Sequence, residues 1–201
     1  MAQVKATIVY YSATGTIEQM AERLAEAAGK AGAEVRLRHV AETAPTDAIE
    51  ENEQWQEHRD DVADTPEPTP EDLTWADVVF FGTPTRFGAS ASQLQAFIDT
   101  LGPTWQAGGL ADKVYAGFTS SQTEHGGQES TLLSLYQAIM HWGGILVTPG
   151  YTDPVKFQDG NPYGVSHVTG ADNDAPLEDA DLAALDHMAE RAVRVAAKLA
   201  A

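Results

Sequence analysis

Short apolar runs of strand length alternate along this chain with segments in which apolar residues recur every three or four positions. The apolar runs are KATIVYY, EVRLRHV, DVVFFG, KVYAGFT and ILVTP. Helical patterns follow four of them, at residues 16–31, 91–101, 128–142 and 179–199. This alternation predicts a doubly wound α/β fold, with five parallel strands and helices on both faces of the sheet.

Two segments interrupt the alternation without dividing the chain. The 201 residues, 43% of them hydrophobic, suit one domain, 1–201, with a single sizeable core. Residues 43–72 are acidic and rich in proline, with Trp55 as an isolated anchor, and residues 149–177 are rich in Gly, Pro, Asn and Asp. We interpret both as long excursions from the sheet that have a functional or interface-forming role.

The formal net charge of -18 argues against binding to nucleic acid or to an anionic membrane surface. The acidity is concentrated, because residues 42–72 carry twelve acidic side chains against Arg59 alone, and residues 172–190 carry seven with no base. A solvated surface that promotes solubility explains this distribution, and adaptation to a salty cytoplasm is the sharper alternative.

Several classes of protein are disfavoured by what the sequence lacks. No apolar run approaches the ~18 residues of a membrane span, and no basic leader precedes an apolar segment, so we expect a soluble cytoplasmic protein without stable membrane insertion. Cysteine is absent, which excludes disulfides and thiolate chemistry. His58, His125 and His167 lie in separate segments, so no metal site is predicted. Any redox role therefore requires a bound cofactor.

The turn after the first strand, Ser12 to Thr16, reads SATGT. Three hydroxyls, one glycine and the free N–H groups of a helix start predict a phosphate site, which the helix dipole favours. The turn lacks lysine and arginine and matches neither GxxxxGK[ST] nor GxGxxG, so it suits a terminal monophosphate held by neutral donors. Ordinary N-capping is the alternative, and it explains one hydroxyl but not three.

Two further turns follow strands at the same predicted edge. In GTPTRFG, Pro84 and Gly88 fix an irregular turn, while Thr85, Arg86 and Phe87 present donors, a cation and a ring. The turn after the fourth strand, FTSSQTEHGGQES, is also polar and rich in glycine. Ligands of parallel α/β sheets bind outside the carboxyl ends of the strands, so the three turns predict a site for one flat ligand that carries a phosphate.

Six motifs, in order along the chain, carry a family resemblance: YYSATGTIE, GTPTRFG, GGQEST, MHWGG, PGYTDP and NPYG. They closely resemble the WrbA family, the type IV NAD(P)H:quinone oxidoreductases, over nearly the whole chain. The resemblance implies a flavodoxin-like fold with strand order 2-1-3-4-5, FMN as cofactor, NADH or NADPH as co-substrate and a quinone as substrate. It also implies a homotetramer whose active sites are completed across subunit boundaries, and the excursions with Trp55 and Trp75 offer surfaces for it.

The resemblance also assigns site residues. It implies FMN contacts at Ser12, Ala13, Thr14, Gly15, Thr16, Ile17, Pro84, Thr85, Arg86, Phe87, Gly88, Ser120, Ser121, Gln122, Thr123, Gly126, Gly127 and His141. Trp105 matches a tryptophan on the substrate side of the flavin, and Thr14 stands where some members have a tyrosine near the nicotinamide. His141 is the one candidate for an acid–base role. From the residue alone, a histidine just before Gly143 is more typical of a helix cap or an interface group.

The implied reaction is hydride transfer from NADH or NADPH to flavin N5, followed by two-electron reduction of a quinone to the hydroquinone. One open flavin face predicts that the substrates bind in turn, with ping-pong kinetics. Two other classes stay open from the residues: a flavodoxin-type one-electron carrier, and a non-catalytic flavin-binding regulatory protein. The excursions, Trp105 and GTPTRFG favour the enzyme, because a carrier needs an exposed flavin edge and no substrate pocket.

Overall fold

A computed structural model describes residues 3–200 of the chain. Within that range one sheet contains β1 (Lys5–Tyr10), β2 (Glu34–His39), β3 (Val78–Arg86), β4 (Ala89–Ser90), β5 (Val114–Ser121), β6 (Ile145–Leu146) and β7 (Val165–Val168). The helices are α1 (Thr16–Lys30), α2 (Thr46–Glu50), α3 (Glu53–Asp61), α4 (Pro70–Trp75), α5 (Ser92–Asp99), α6 (Gly102–Gln106), α7 (Gln128–His141), α8 (Lys156–Asp159) and α9 (Asp179–Leu199).

The main path through the sheet runs β2-β1-β3-β5-β6, and all its neighbours are parallel. This is the order 2-1-3-4-5 of the five predicted strands, and the α/β fold class is confirmed. The sheet has seven strands instead of five, because β4 pairs antiparallel with β3 and β7 pairs parallel with β5.

Neighbouring residues of the central strands point into two different cores. Ile8 and Phe80 pack with α1 and α9 on one face, whereas Val9 and Phe81 pack with α5 and α7 on the other. Side chains alternate between the two faces of a strand, so a strand buried on both sides is apolar at successive positions. The uninterrupted run DVVFFG is the sequence pattern of such a strand.

Only Ile145–Leu146 of the predicted fifth strand, ILVTP, forms a strand, and the fifth position of the sheet is shared with a second piece of chain, β7. Ile145 and Leu146 pair with the start of β5, and β7 pairs with its end, from Phe118 to Ser121. The chain leaves the sheet near Pro149, which has no N–H to donate to a ladder. The excursion 149–177 is thus an insertion within the fifth strand position, and it returns to the sheet through β7.

The third strand continues four residues past the predicted DVVFFG and turns back on itself. Pairing with β1 ends at Gly82, so Pro84 meets β5 on one side and has no β1 partner on the other. The hairpin to β4 turns through Phe87 and Gly88, both with positive φ. This hairpin projects beyond the carboxyl edge of the sheet.

Both excursions contain regular structure. The first includes α2 and α3, and α4 begins at its end with a capping box between Thr69 and Asp72. The second includes α8 and β7. Helical periodicity did not predict α3, because its sequence EQWQEHRDD has almost no apolar stripe.

Replacement of Gly82 by alanine tests the close packing of β3 on β5. A Cβ at this position would overlap the ring of Phe118, so we expect Gly82→Ala to lower the free energy of unfolding by about 1–3 kcal/mol. A Cβ at Gly102 meets nothing within 4 Å, so Gly102→Ala should change it by less than about 0.5 kcal/mol. Urea denaturation of both variants measures the difference, and equal stabilities would contradict this packing.

Candidate active site

One cavity of about 710 Å³ lies at the carboxyl ends of β1, β3 and β5. The three turns that follow these strands meet there because the strands are parallel neighbours. Predicted site residues that line it are Ser12, Ala13, Thr14, Thr16, Ile17, Pro84, Thr85, Arg86, Phe87, Ser120, Ser121, Gln122, Thr123 and Gly126. Six others complete the lining: Asn52, Gln54, Trp55, Ala171, Asp172 and Asn173.

The turn after β1 is shaped by Gly15. This glycine is the N-cap of α1 with φ 96°, and its N–H donates to Ser12 Oγ at 3.1 Å. No side chain caps the helix, so the hydroxyls are not explained by ordinary N-capping. The first N–H groups of α1, from Thr16 onward, have no partner within the helix and are directed out of its N-terminus. The geometry of the turn therefore suits an anion.

The described lining of the cavity carries little positive charge. Arg86 is the one Lys or Arg in the described cavity lining, and it lies on the hairpin after β3, not in the turn of residues 12–16. Its guanidinium is exposed and donates to the Thr85 carbonyl at 3.1 Å. Asp172 adds a negative charge on the wall. An anion at Ser12–Thr16 would therefore be held by neutral donors and the α1 dipole.

Gly88 and Gly127 do not line the cavity but allow its walls to approach. A Cβ on Gly127 would lie 2.9 Å from Gly88 Cα, and a Cβ on Gly88 would lie 2.8 Å from Ser130 Oγ. Both glycines also have positive φ, and Gly127 is the N-cap of α7. The hairpin and the start of α7 therefore pack directly against each other beside the cavity.

The first excursion places Trp55 in the wall of the cavity, where sequence reasoning had treated it as an isolated anchor. Its Nε1 donates to Glu42 Oε2 at 2.8 Å. The same carboxylate accepts from Tyr11 Oη at 2.7 Å and from Gln93 Nε2 at 2.6 Å. Burial opposes the charge, but these hydrogen bonds outweigh it and hold the pKa of Glu42 below its ordinary value. The anionic Glu42 carboxylate thus accepts the indole hydrogen bond and fixes the position of Trp55.

The second excursion reaches the turn after β1 from the opposite side. Asn173 Nδ2 donates to Thr14 Oγ1, and Thr169 Oγ1 donates to Asn173 Oδ1 at 2.7 Å. Asn173 has φ 59°, a conformation that asparagine tolerates better than most residues. Residues 169–175 therefore form a strap across one side of the cavity, and we call them the strap below. Its composition marked a loop in the sequence but gave no sign of a contact with Thr14.

A buried histidine ties the strap to α9. His167 Nδ1 lies 2.7 Å from Asp181 Oδ2, and Nε2 lies 2.9 Å from the carbonyl oxygen of Ala175. Both partners are acceptors, so the imidazole forms both hydrogen bonds only when it is protonated. Burial opposes that charge, but the bonds to Asp181 and Ala175 outweigh it and raise the pKa of His167.

Two predicted site residues lie away from this cavity. His141 is the last residue of α7, a helix about 20 Å long whose other end adjoins the cavity. Trp105 is 52% exposed and donates from Nε1 to the His141 carbonyl at 3.1 Å. The structure brings these two residues together but does not bring either to the cavity of the same chain.

Comparison with known proteins decides the family. The family described as NADPH-dependent FMN reductase matches residues 9–153. The chain belongs to this family. It is also 51% identical to a protein of Deinococcus radiodurans described as NAD(P)H dehydrogenase (quinone), over 98% of each chain. A protein of Geotalea uraniireducens with the same description is 39% identical, over 98% of this chain and all of the other. The recognition of a quinone oxidoreductase family in the sequence is confirmed.

Solved structures show the same fold. A flavodoxin, WrbA-like protein from Agrobacterium tumefaciens superposes with a TM-score of 0.69 at 24% identity, covering 97% of this chain and 98% of that one. A flavodoxin from the domain Archaea superposes with a TM-score of 0.61 at 16% identity, covering 98% and 100%. At these identities the likeness establishes the flavodoxin-like fold and no more.

Two kinds of feature are absent from residues 3–200. In that range no helix combines the length and apolar character needed to cross a membrane. The His, Asp and Glu side chains of the same residues form no group of three that could hold a metal ion.

His167 should make stability depend on pH. Because its pKa is raised above the unfolded value near 6.5, the stabilisation is complete below that pH and is lost as pH rises through the folded pKa. We expect His167→Gln to lower the free energy of unfolding by about 1.5–3 kcal/mol at pH 6 and by less at pH 9. Denaturant unfolding between pH 6 and pH 9 measures this. A cost that is constant over the range would show that His167 is neutral in the folded protein.

Proposed function

We propose that this protein is an FMN-dependent NAD(P)H:quinone oxidoreductase that reduces quinones to hydroquinones by two electrons. The observation that carries the proposal is the cavity at the carboxyl edge, where a cation-free anion site at the start of α1 adjoins walls from two further strand ends. The relatives described as NAD(P)H dehydrogenase (quinone), aligned over nearly their whole length, support the reaction class.

The residues present fit FMN. The anion site at Ser12–Thr16 suits its phosphate, which ends a chain and needs donors rather than a metal. The hairpin after β3, the segment Ser120–Thr123 and Trp55 suit the flat ring, because they offer hydrogen-bonding groups and an aromatic face. The volume of about 710 Å³ lies within the range of pockets that bury small ligands.

The protein's contribution is to bind, orient and expose one side of the site. When bound, FMN supplies the acceptance of hydride at N5 and the return of two electrons to a quinone. Glu42 holds Trp55 in the cavity wall, and Arg86 offers the positive charge that favours an anionic reduced ring. Phe87 is fully exposed at the rim, on the side where the two substrates bind in turn.

We assign Trp105 and His141 to the cavity of a neighbouring subunit in a homotetramer. Their hydrogen bond makes one exposed unit at the far end of α7, and Met140 beside them is also exposed. Trp75 is less available for assembly, because the Arg36 guanidinium lies 3.9 Å from its ring centroid within the chain. This arrangement would supply an aromatic group to the open side of the flavin from outside the chain.

Anaerobic flavin absorbance tests the function. The protein loaded with FMN and freed of excess flavin should lose its ~450 nm absorbance on addition of NADH or NADPH and regain it with benzoquinone. Tight FMN that ignores both nucleotides but accepts single electrons from a reductase would instead identify a flavodoxin-type carrier. Flavin that neither nucleotide nor reductase reduces would identify a non-catalytic protein.

Trp105→Ala is the matched variant for the same assay. We expect it to retain FMN, because Trp105 lies outside the cavity of its own chain. We expect it to change the quinone phase, because the proposed tetramer places Trp105 at the cavity of a neighbouring subunit. Loss of FMN from this variant would contradict its assignment to the substrate side.

Replacement of Thr14 and Thr16 by valine tests the phosphate position. Each change removes a hydroxyl from the turn, so FMN binding should weaken by about 1–3 kcal/mol for each group left unsatisfied. Riboflavin, which lacks the phosphate, should bind both forms alike. Thr46→Val, on exposed α2, is the control. Unchanged FMN affinity in the double variant would overturn the assignment of the turn.

A further inference from the structure

The anion site raises a problem of charge, because Arg86, the one Lys or Arg of the described cavity lining, lies on the hairpin after β3 and not at the turn. A phosphate monoester carries nearly two negative charges at neutral pH, and Ser12–Thr16 contains no cation. Acidic side chains lie behind the same turn, in a cavity of about 450 Å³ that includes Glu18, Glu57, Asp61 and Asp174. Unless a positive charge is added, a bound phosphate faces these carboxylates with only helix dipoles and neutral donors in support.

One side chain in that second cavity can supply the charge. His58, on α3 of the first excursion, is only 6% exposed and stands against the turn, with Nδ1 3.7 Å from the place of a Cβ on Gly15. Its Nδ1 lies 3.4 Å from Glu18 Oε2. Its Nε2 is buried and has no hydrogen-bond partner among residues 3–200. Nε2 therefore makes no hydrogen bond with the described residues that would hold the ring in one protonation state.

We propose that His58 supplies the missing positive charge by taking up a proton when the phosphate of FMN binds to the turn. This inference rests on the proposed function, because it concerns the same cofactor at the same turn. It gives α3 a function that neither the sequence motifs nor the residues lining the first cavity indicate: α3 makes phosphate binding depend on protonation.

The groups around His58 are consistent with a neutral ring before binding. Burial, with the nearby His39, lowers the pKa of His58 to about 4. His39 on β2 packs edge-on at 6.1 Å between ring centroids, and its Nε2 already accepts from the Ser12 N–H at 3.5 Å. A dianion beside the turn adds an attraction of the opposite sign, which raises the pKa of an imidazole. His39 cannot respond in this way without losing its bond to Ser12.

Glu18 is the competing proton acceptor. It is the acidic residue in the first turn of α1, it accepts from Tyr10 Oη at 3.2 Å on β1, and burial raises its pKa. Glu22 of the same helix and Asp61 of α3 raise it further. Protonation of Glu18 would remove a repulsion but would add no attraction. Protonation of His58 adds an attraction, and the Glu18 carboxylate at 3.4 Å then stabilises the imidazolium.

Calorimetric titration of the full-length apoprotein with FMN measures the proton directly. Titrations at pH 7 in buffers of different ionisation enthalpy should show uptake of more than about half a proton for each FMN bound. Free FMN phosphate has a pKa near 6, so binding of its dianion alone would release a small fraction of a proton instead. Riboflavin should bind without uptake. The dissociation constant for FMN should rise up to about tenfold between pH 6.5 and pH 7.5, and that for riboflavin should stay constant.

Variants identify the acceptor. His58→Gln should abolish the uptake and flatten the pH profile. Glu18→Gln should still show uptake, reduced only by the loss of the support that the Glu18 carboxylate gives to the imidazolium. His187→Gln is the control. His187 hydrogen-bonds to Thr152, away from the turn of residues 12–16, so this variant should match the unchanged protein.

Two results would overturn the proposal: FMN binding with no uptake in the unchanged protein, a measurement that needs no variant, or uptake that is lost in Glu18→Gln and kept in His58→Gln. Neither result would affect the proposed function, which is tested separately by the reduction of FMN by NADH. Failure of FMN to bind would remove the proposed function together with this inference.

Discussion

Parallel pairing of β1, β3 and β5 is the constraint on which the rest of the molecule depends. Three parallel neighbours end at one edge, so the turns that follow them meet whatever their own sequences are. Each turn contains a glycine with positive φ, namely Gly15, Gly88 or Gly127, and the lack of a side chain at Gly88 and Gly127 also lets the hairpin and the start of α7 approach closely. The helix starts at Thr16 and Gln128 bring free N–H groups to the same edge. The position of the cavity is therefore set by the parallel direction of these strands and not by any single side chain.

The two excursions add walls to that edge and leave one side of the site open. The first brings Trp55, held by Glu42, and the second brings Asn173, held by Thr169 and tied to α9 through His167. Both excursions are acidic, and both approach a turn that suits an anion. The acidic side chains would repel a bound anion. Neutral donors at the turn and, in our proposal, a proton on His58 offset this repulsion. Acidity that reads as a solvated surface in the sequence is therefore also part of the environment of the site.

The sequence predicted the elements that have a clear local pattern. Apolar runs such as DVVFFG indicated buried parallel strands, and the hydroxyls around Gly15 indicated the anion site that we propose. It did not predict contacts that depend on long-range folding. Nothing near Asn173 indicates that it reaches Thr14, and nothing in EQWQEHRDD indicates a helix that carries Trp55 and His58 to the turn. The division of the fifth strand was missed because VSHV is short and lies within a segment typical of loops.

The structure of the protein with FMN bound tests the central claim most directly. We expect the phosphate within hydrogen-bonding distance of the backbone N–H groups at the start of α1, and the ring between the Pro84–Phe87 hairpin and Ser120–Thr123, with Trp55 in its wall. A flavin whose phosphate points to solvent, or whose ring lies outside this cavity, would contradict the account.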